Sequence, residues 1–286
     1  MQLMNYFIFN PISGSYGQEK KRRLLNLIQE DPENIVFETI QKDDEITLTQ
    51  KAISLGAKRV IAIGGDGTIN KVASILNGTD IPLGIIPMGS GNGLAHHLKI
   101  PLNTRAAFKK SISGNTIKID VCRVDEKSFV CTAGFGFDAF VADIFDKRKK
   151  RGLLNYIIAV FISLVRYKPI EISINDEPSE KLFLLTISNA NQYGNNAFIS
   201  PNADIQDGQF EIIKIKYVSK PKLAFIALRL FLKNIHQSSD VEITKMDMAT
   251  VKMRANQLFH IDGESLKTNK DDISISIQTK ALKVII

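Results

Sequence analysis

Residues 59 to 70 read Arg59-Val60-Ile61-Ala62-Ile63-Gly64-Gly65-Asp66-Gly67-Thr68-Ile69-Asn70, and this stretch decides the fold of the first half of the chain. It opens with a short run rich in Ile and Val, which is typical of a strand buried on both faces of a parallel sheet. Glycines end the run, and helical spacing follows from Ile69 to Asn77. This order predicts one strand-turn-helix unit of an α/β domain.

The same alternation of apolar runs and amphipathic segments fills roughly the first 120 residues. The other predicted strands are Asn5 to Phe9, Ile35 to Thr39 and Leu83 to Ile86, and the other predicted helices are Gln18 to Gln29 and Glu45 to Leu55. We therefore predict an α/β domain with a parallel sheet over residues 1–115.

The second half of the chain changes to period-two alternation, as in Ile170 to Ile174 and Phe210 to Ile215. Such alternation is typical of antiparallel sheets. Apolar helical stretches interrupt it at Leu153 to Val165 and Leu223 to Ile235. A chain of 286 residues has room for two domains of roughly 150 residues each. We expect a mainly β domain over residues 116–286, whose last strand is free to return to the first domain.

Three loops follow predicted strands of the first domain. The first strand ends in Asn10-Pro11-Ile12-Ser13-Gly14, the third in Gly64 to Asn70, and the fourth in Pro87-Met88-Gly89-Ser90-Gly91-Asn92. Because the carboxyl ends of parallel strands share one edge of the sheet, we expect all three loops to open on one crevice. Thr39, at the end of the second strand, lies at the same edge.

The loops carry residue types that bind phosphate. Glycine allows positive φ and close approach of the backbone, so that consecutive N–H groups form an anion-binding nest. Hydroxyl and amide side chains add hydrogen bonds without adding charge. The residues that fit these roles are Gly64, Gly65, Gly67, Thr68 and Ser90, together with Asn10, Asn70 and Asn92.

Asp66 is unexpected in such a loop, because a carboxylate repels phosphate unless a divalent cation lies between them. Mg²⁺ held by few carboxylates, phosphate oxygens and water resolves the conflict. The alternative is that the glycines only make turns and that Asp66 caps the following helix. The combination of three loops favours phosphate binding.

Charge and motif spacing exclude several classes of protein. The net charge of +7 favours an anionic partner. No zinc finger, helix-turn-helix or RNP-like pattern accompanies the basic residues, so we predict no nucleic-acid binding. The Gly-x-x-x-x-Gly-Lys-Ser/Thr motif of P-loop NTPases does not occur. The glycines of residues 89–93 follow the fourth strand and lack the Gly-x-Gly-x-x-Gly spacing of hydride-transferring Rossmann enzymes.

Cysteine usage and the N-terminal residues indicate the compartment. Cys122 and Cys131 lie in apolar surroundings, which favours two buried, reduced thiols. The first residues have no basic leader, and their apolar run is too short for a signal peptide. We therefore expect a cytoplasmic protein. Zinc-type spacing is absent around the histidines, to which we assign surface or packing roles: His96, His97, His236 and His260.

These loops resemble those of the diacylglycerol kinase catalytic domain family, which includes bacterial lipid kinases and sphingosine kinases. Gly64 to Thr68 is similar to the family's signature, and Asn10 to Gly14 and Pro87 to Asn92 are similar to its first and third nucleotide loops. The likeness continues along the second half through Gly134 to Ala139, Asn189 and Asp262-Gly263-Glu264. The resemblance implies a Rossmann-like nucleotide-binding domain related to that of NAD kinases and phosphofructokinases. It further implies a C-terminal β-sandwich and a lipid-binding cleft between the two domains.

The resemblance also implies a reaction, in which an ATP-dependent lipid kinase uses Mg²⁺ to transfer the γ-phosphate to a lipid hydroxyl. Glu264 would accept the proton, and Asp66 would organise metal and phosphate or compete as the base. The implied ligands of a structural Mg²⁺ are Asp204, Asp207 and Gln209. The implied nucleotide contacts are Asn10, Pro11, Ile12, Ser13, Gly14, Thr39, Gly64, Gly65, Asp66, Gly67, Thr68, Ile69, Asn70, Ser90, Gly91 and Asn92.

Several alternatives stay open at this point. Taken alone, Asp262-Gly263-Glu264 also fits an ordinary hairpin turn. The Gly-Gly-Asp-Gly-Thr signature occurs in NAD kinases as well, so a soluble NAD kinase-like enzyme is an alternative, as is an inactive nucleotide- or lipid-binding module. The identity of the acceptor stays open among diacylglycerol, a sphingoid base, ceramide and other lipid alcohols. A homodimer is a further open alternative.

A basic cluster, Lys147 to Arg151, runs directly into the apolar stretch Leu153 to Val165. That stretch is shorter than the roughly 20 residues that a membrane-spanning helix needs. It either packs in the core or contacts a membrane surface, where each Lys or Arg near anionic lipid contributes about 1 kcal/mol. Peripheral contact with the inner membrane face is therefore an alternative to core packing.

Overall fold

The protein is seen here in a computed structural model, which describes residues 4–14, 17–148 and 152–286. The chain divides into two compact units. The first unit runs to Ile119 and includes Lys280–Ile286, and the second unit is Asp120–Thr279. The sequence places a boundary near residue 115, whereas the structure divides the chain after Ile119 and joins its final residues to the first unit.

The first unit alternates strands and helices. Its strands are β1 (Asn5–Phe9), β2 (Asn34–Glu38), β3 (Arg59–Gly64) and β4 (Leu83–Pro87). Its helices are α1 (Gln18–Gln29), α2 (Asp44–Ser54), α3 (Asp66–Leu76), α4 (Gly93–His97) and α5 (Thr104–Ser113).

These strands form a parallel sheet in the order β2-β1-β3-β4. The end of the chain adds to it, because Val284 pairs in parallel with Leu83 of β4. Strands β1 and β4 are buried at every residue, as expected for a parallel sheet covered on both faces. All four strands therefore present their carboxyl ends, and the loops that follow them, at one edge.

The second unit is mainly β. Its strands are β5 (Thr116–Val124, which begins in the first unit), β6 (Lys127–Phe129), β7 (Thr132–Gly136), β8 (Ile170–Ile174), β9 (Glu180–Ser188), β10 (Phe210–Lys216), β11 (Val241–Met246), β12 (Met248–Lys252), β13 (Leu258–Ile261), β14 (Glu264–Lys267) and β15 (Asp272–Ile285, which ends in the first unit). Its helices are α6 (Phe137–Asp146), α7 (Leu153–Arg166) and α8 (Lys220–Phe231), with a 3₁₀ turn at Ile235–Gln237.

Antiparallel pairing builds this unit in two layers, β14-β13-β7-β9-β10-β11 and β8-β12-β15-β5-β6, which are joined where β8 pairs with β9. Side chains from both layers form one buried core, including Phe135, Phe210 and Ile275. A second cluster packs α7 and α8 against β9 and β10, with Leu164, Leu223 and Ile226 among its members. The α/β first half and the mainly β second half that the sequence predicts are both present.

Helix α3, strand β15 and helix α6 are among the elements that differ from the sequence-based prediction. Helix α3 begins at Asp66 and not at Ile69, because the extended backbone ends at Gly65. The sequence did not reveal this first turn, because its polar residues carry no apolar spacing. Strand β15 is 14 residues long and extends far past the predicted segment 273–277. Helix α6 was not predicted. Within the described ranges, every helix falls short of the length and apolar character that a membrane crossing requires.

Candidate functional site

The three glycine-rich loops of the first unit touch one another at the carboxyl ends of β1, β3 and β4. Gly14 has a φ of +71°, and a Cβ there would lie 1.6 Å from the carbonyl oxygen of Met88. A Cβ on Gly89 would lie 2.6 Å from the Cα of Gly65. Backbones this close admit only glycine. The loops after β1, β3 and β4 are thus held in one cluster, which we call the loop cluster (residues 10–14, 64–70 and 87–92).

A buried carboxylate joins two of these loops from the side. Glu45, in the first turn of α2, accepts hydrogen bonds at Oε1 from Asn10 Nδ2 (2.9 Å) and Thr68 Oγ1 (3.2 Å). Asn10 and Thr68 also bond to each other at 3.2 Å, and Lys71 Nζ lies 3.9 Å from Glu45 Oε2. Buried polar groups that are mutually satisfied favour one arrangement of their backbones. The Asn10 and Thr68 side chains therefore hold the loop cluster together.

Asp66 caps a helix, although not the helix that it begins. Its Oδ2 accepts a hydrogen bond from Asn92 N (2.8 Å), and its Oδ1 accepts one from Gly93 N (2.7 Å). These are the first amides of α4, so the carboxylate ties the loop after β3 to the loop after β4. A carboxylate has about four lone-pair sites, so capping leaves acceptor capacity for a cation.

Asn92 closes the loop after β4 on itself. Its Oδ1 accepts from Gly89 N (2.8 Å) and its Nδ2 donates to Gly89 O (2.9 Å), while its own φ is +52°. The side chain is thus committed to the backbone. Ser90 and Gly91, which this closed loop contains, are only partly buried and lie between the two anchored ends.

Several groups of the loop cluster and its neighbours face open space, and one buried polar atom nearby has no partner among the described residues. A Cβ on Gly67 would meet no atom within 4 Å, and its amide lies in the first turn of α3, where helix N-termini attract anions. Asn70 carries a buried Oδ1 that has no hydrogen-bond partner among the described residues. Ile12 is 85% exposed and Ile40 95% exposed, at the ends of the adjacent strands β1 and β2. Donors for an anion and apolar surface for a flat ring are therefore both available.

Glu264 stands at the first position of β14, directly after a two-residue hairpin turn. Asp262 and Gly263 have φ values of +45° and +83°, and Ile261 pairs with Glu264 across the turn. Positive φ at both central residues is what a type I′ turn requires, which explains the Asp-Gly sequence. The turn interpretation of this motif is therefore compatible with a role for Glu264, because the turn is what presents its side chain.

Asp262 fastens this turn to the strand beside it. Its Oδ1 accepts from the amides of Cys131 (2.9 Å) and Thr132 (2.8 Å), and its Oδ2 accepts from Val130 N (3.0 Å). Burial raises the pKa of this carboxyl group, and the three amides oppose that shift. Asp262 is thus a structural residue that holds the base of the hairpin.

Helix α6 holds the same hairpin at two further points. Near its start, Asp138 Oδ2 lies 3.2 Å from Nε2 of His260 on β13. At its end, Asp146 Oδ2 accepts a hydrogen bond from Ser265 N of β14 (3.1 Å). Because Glu264 lies between His260 and Ser265 in sequence, the residue is anchored on both sides.

The residues predicted to hold a structural metal are already engaged. Asp204 Oδ1 accepts from Gln206 N (3.0 Å), and Asp207 Oδ1 accepts from Gln209 N (3.0 Å). Lys245 Nζ lies 2.5 Å from Asp207 Oδ2. An ammonium group at that carboxylate takes the place of a cation, so these residues do not fit a Mg²⁺ site as they stand. Over the described ranges, no group of three or more His, Cys, Asp or Glu side chains is suited to a metal.

Sequence reasoning missed Glu45, Asp138 and the role of His260. We assigned His260 a surface or packing role; it is buried, as a packing role requires, and in addition both of its ring nitrogens have partners. Glu45 contacts Thr68 and Asn10, which are 23 and 35 positions away, and His260 contacts Asp138, which lies far away in sequence, so local spacing gives no signal. Cys122 and Cys131 are buried thiols that form no disulfide within the described part of the chain, and burial raises the pKa of Cys122.

Comparison with known proteins covers both units. A family model described as the diacylglycerol kinase catalytic domain matches residues 5–124. A second model, described as the YegS C-terminal NAD kinase beta sandwich-like domain, matches residues 131–286. The two matches agree with the Rossmann-like α/β half and the β-sandwich half that the sequence implied.

Individual relatives carry related names. A protein named diacylglycerol kinase from Mycobacterium tuberculosis (strain CDC 1551 / Oshkosh) is 34% identical over 216 residues, covering 72% of this chain and 68% of the relative. A protein named "Probable lipid kinase YegS-like" from Klebsiella pneumoniae (strain 342) is 29% identical over 259 residues, covering 87% of this chain and 86% of the relative. A solved structure of a diacylglycerol kinase from Bacillus anthracis strain Sterne superposes with a TM-score of 0.72 at 20% identity, covering 99% of this chain and 96% of that one, and shows a shared fold.

Proposed function

Because the chain belongs to the diacylglycerol kinase family, we propose that it transfers the γ-phosphate of ATP to the hydroxyl group of a lipid. The observation that carries the proposal is the loop cluster, in which Gly14 packs on Met88 and Gly65 on Gly89. This packing brings the three sequence motifs together beside the N-terminus of α3, whose first amides would attract phosphate.

The residues of the first unit are of types that suit nucleotide binding. Phosphoryl transfer passes through a loose transition state, so catalysis consists mainly of alignment and charge stabilisation. The amides around Gly67 would bind phosphate oxygens, because no side chain occupies the space beside them. Ile12 and Ile40 would shield the apolar faces of the adenine ring.

When bound, a divalent cation would neutralise the negative charge of the phosphates, and we take this cation to be Mg²⁺. Asp66 would hold it, because its carboxylate retains acceptor capacity beyond the two amides of α4. The hydrogen bonds to Asn92 N and Gly93 N would also fix the direction in which the carboxylate points. We propose no metal at Asp204, Asp207 and Gln209, because Lys245 neutralises that group.

Glu264 is the proposed proton acceptor for the lipid hydroxyl. A positioned carboxylate contributes about 10²- to 10⁴-fold to such a step. The type I′ turn and the anchors on either side hold Glu264 in a defined position, which general-base catalysis requires. Turnover depends on this carboxylate reaching the acceptor hydroxyl.

Glu264→Gln tests the mechanism with minimal change of shape. We expect the variant to lose phosphorylation by about 10²- to 10⁴-fold, since an amide cannot take the proton, while the affinity for ATP stays unchanged. Glu242→Gln, at an exposed position of strand β11, is the matched control and keeps wild-type turnover. Normal turnover by Glu264→Gln would remove Glu264 from the mechanism.

The acceptor is tested directly with labelled ATP. Incubation with a panel of diacylglycerol, a sphingoid base and ceramide, followed by identification of the labelled product, assigns the lipid. An additional arm with NAD addresses the alternative of a soluble NAD kinase, since the second unit matches a family model described as NAD kinase-like. Formation of NADP without any labelled lipid would replace our proposal.

We further propose that the enzyme meets its lipid at an anionic membrane surface through helix α7. One face of α7 packs in the cluster with α8, whereas Leu154, Phe161 and Val165 are 70%, 66% and 77% exposed. These positions follow helical spacing, so they form one apolar stripe. Residues 149–151 of the basic cluster lie outside the described residues.

Charge beside the stripe favours a membrane over a second copy of the chain. A cavity of about 460 Å³ at the end of α7 is lined by Lys147, Arg166, Lys168 and Lys267, with a single acidic residue, Asp143. Two copies facing each other there would bring like charges together, whereas an anionic leaflet attracts them.

A further inference from the structure

His260 links the turn before Glu264 to helix α6. The imidazole is 3% exposed. On one side its Nδ1 accepts a hydrogen bond from the backbone N–H of Gly263 (3.3 Å). On the other side its Nε2 lies 3.2 Å from Asp138 Oδ2. The two ring nitrogens therefore connect the carboxylate of Asp138 to Gly263, the second central residue of the type I′ turn.

The partners determine which nitrogen carries the proton. A backbone amide can only donate, so Nδ1 must be the acceptor and carries no hydrogen in this arrangement. The carboxylate of Asp138 accepts, so Nε2–H donates to it. The ring is thus held as the Nε2–H tautomer by groups that cannot exchange roles.

Asp138 is itself held in place from several directions. Its Oδ2 accepts from Thr186 Oγ1 (2.8 Å) and Tyr193 Oη (3.3 Å), and its Oδ1 accepts from Ala139 N (2.8 Å). Gly134 leaves the space that the pair needs, because a Cβ there would lie 2.0 Å from Asp138 Oδ2 and 2.5 Å from His260 Nε2. The absence of a side chain at Gly134 is thus required for the Asp138–His260 contact.

Gly263 is the exposed member of the turn. A Cβ on Gly263 would meet no atom within 4 Å, and its φ is +83°. The residue before it, Asp262, is held by the amide of Cys131, which donates to its carboxylate. On the other side of Glu264, the amide of Ser265 donates to Asp146. The hydrogen bond to His260 Nδ1 restrains the Asp262–Gly263 peptide, one residue before the peptide that leads into Glu264.

From this geometry we propose that His260, oriented by Asp138, is a positioning residue that fixes the Gly263 N–H and thereby the direction of the Glu264 carboxylate. The proposal rests on the assignment of Glu264 as the proton acceptor. It concerns the chemical step, because no part of the pair belongs to the loop cluster. Loss of the restraint lowers kcat and leaves the KM for ATP unchanged.

Two substitutions at His260 separate the two hydrogen bonds. Asparagine places an amide oxygen near the position of Nδ1 and cannot reach Asp138, whereas glutamine places its amide near Nε2 and offers Gly263 no acceptor. We expect His260→Gln to lower kcat by about 10- to 100-fold, because a small misplacement of a catalytic group has effects of that size. His260→Asn should keep kcat within about threefold of the wild type, since it restores the acceptor.

Equal kcat values for His260→Gln, His260→Asn and the wild type would overturn the proposal. So would equal losses in the two variants, which indicate a merely structural role. If either variant fails to fold, Asp138→Asn takes its place, and an unchanged kcat in Asp138→Asn would also contradict the proposal. ¹⁵N NMR of the imidazole provides a readout independent of activity, in which an Nδ1–H tautomer would exclude the geometry described.

The Glu264→Gln background separates this proposal from the proposed function. Adding His260→Gln to Glu264→Gln should lower the residual rate no further, because the carboxylate that His260 positions is already gone. A further loss in the double variant would show that His260 acts elsewhere. Wild-type turnover in Glu264→Gln alone would instead refute the base assignment, while the NMR result still reports the tautomer.

Discussion

Gly67 differs from the other glycines of the loop cluster in its surroundings. Gly14, Gly65 and Gly89 are required by the protein itself, because a Cβ on each would approach neighbouring atoms closely. A Cβ on Gly67 would meet nothing within 4 Å. Under the proposed function, the space around Gly67 is where a phosphate would approach the first amides of α3.

Substitution of Gly67 by alanine therefore distinguishes folding from nucleotide binding. We expect Gly67→Ala to fold with a melting temperature close to the wild type and to bind ATP about 10-fold or more weakly, because the methyl group stands between phosphate and amides. Gly17→Ala is the matched control, since a Cβ at Gly17 also meets no atom within 4 Å but lies outside the loop cluster. Calorimetric titration measures the affinity of both variants for ATP. Equal affinities of Gly67→Ala and Gly17→Ala would contradict this placement of the phosphates.

The residues of the first unit illustrate what sequence predicts and what it does not. Loops rich in Gly and Asn that follow apolar runs are local patterns, so the three loops of the loop cluster were predictable. Glu45 was not, because a glutamate in the first turn of a helix is common and its partners Asn10 and Thr68 are distant in sequence. The same applies to His260, whose partner Asp138 belongs to a helix that the sequence did not reveal.

At the scale of elements, apolar spacing located the strands of the first unit to within about one residue. It failed where the signal is not apolar. Helix α3 starts with Asp66, a polar turn, and α6 follows directly on β7 without a break of polar residues. Strand β15 was underestimated because its exposed middle residues, around Gln278 to Lys280, interrupt the alternation.

Helix α7 is the element on which membrane contact depends. We expect the double substitution Phe161→Ser/Val165→Ser to reduce co-sedimentation with vesicles of phosphatidylglycerol and phosphatidylcholine by about 10-fold or more, since burying a large apolar side chain contributes about 1.5–3 kcal/mol. Binding should also weaken as salt is raised, because anionic lipid attracts the basic residues.

Leu55→Ser is the control for this experiment, because Leu55 is an exposed apolar residue of the first unit. Unchanged co-sedimentation of the double variant would remove α7 from membrane contact. A change in elution volume on size-exclusion chromatography would instead indicate that the stripe joins two copies of the chain.

The whole molecule is organised by a chain that leaves the first unit at Ile119 and comes back to it at Lys280. The returning residues are fully integrated there. Gly78 N donates to Ala281 O (2.8 Å), and Ile286 N donates to Asn115 O (2.7 Å). Leu282 and Val284 are completely buried and Ile285 nearly so.

Removal of residues 280–286 should therefore destabilise the unit that holds the nucleotide loops. Three buried apolar side chains contribute about 1.5–3 kcal/mol each, against a total stability of about 5–15 kcal/mol. We expect a chain that ends at Thr279 to lose most of the hydrogen-exchange protection of β4. Lys283→Ala removes only the ion pair with Asp80 (2.7 Å) and should cost less than about 1 kcal/mol. Intact protection of β4 in the chain that ends at Thr279 would contradict the stabilising role of residues 280–286.

The return of β15 also has a consequence for biosynthesis. A ribosome delivers β1 to β4 early, yet β4 receives its partner Val284 only after residues 120–279 have emerged. Nascent chains therefore carry an unpaired sheet edge for the time taken to translate the entire second unit, at about 5–20 residues per second. The second unit is the part that can finish folding first, and the nucleotide loops belong to the half whose sheet is completed last.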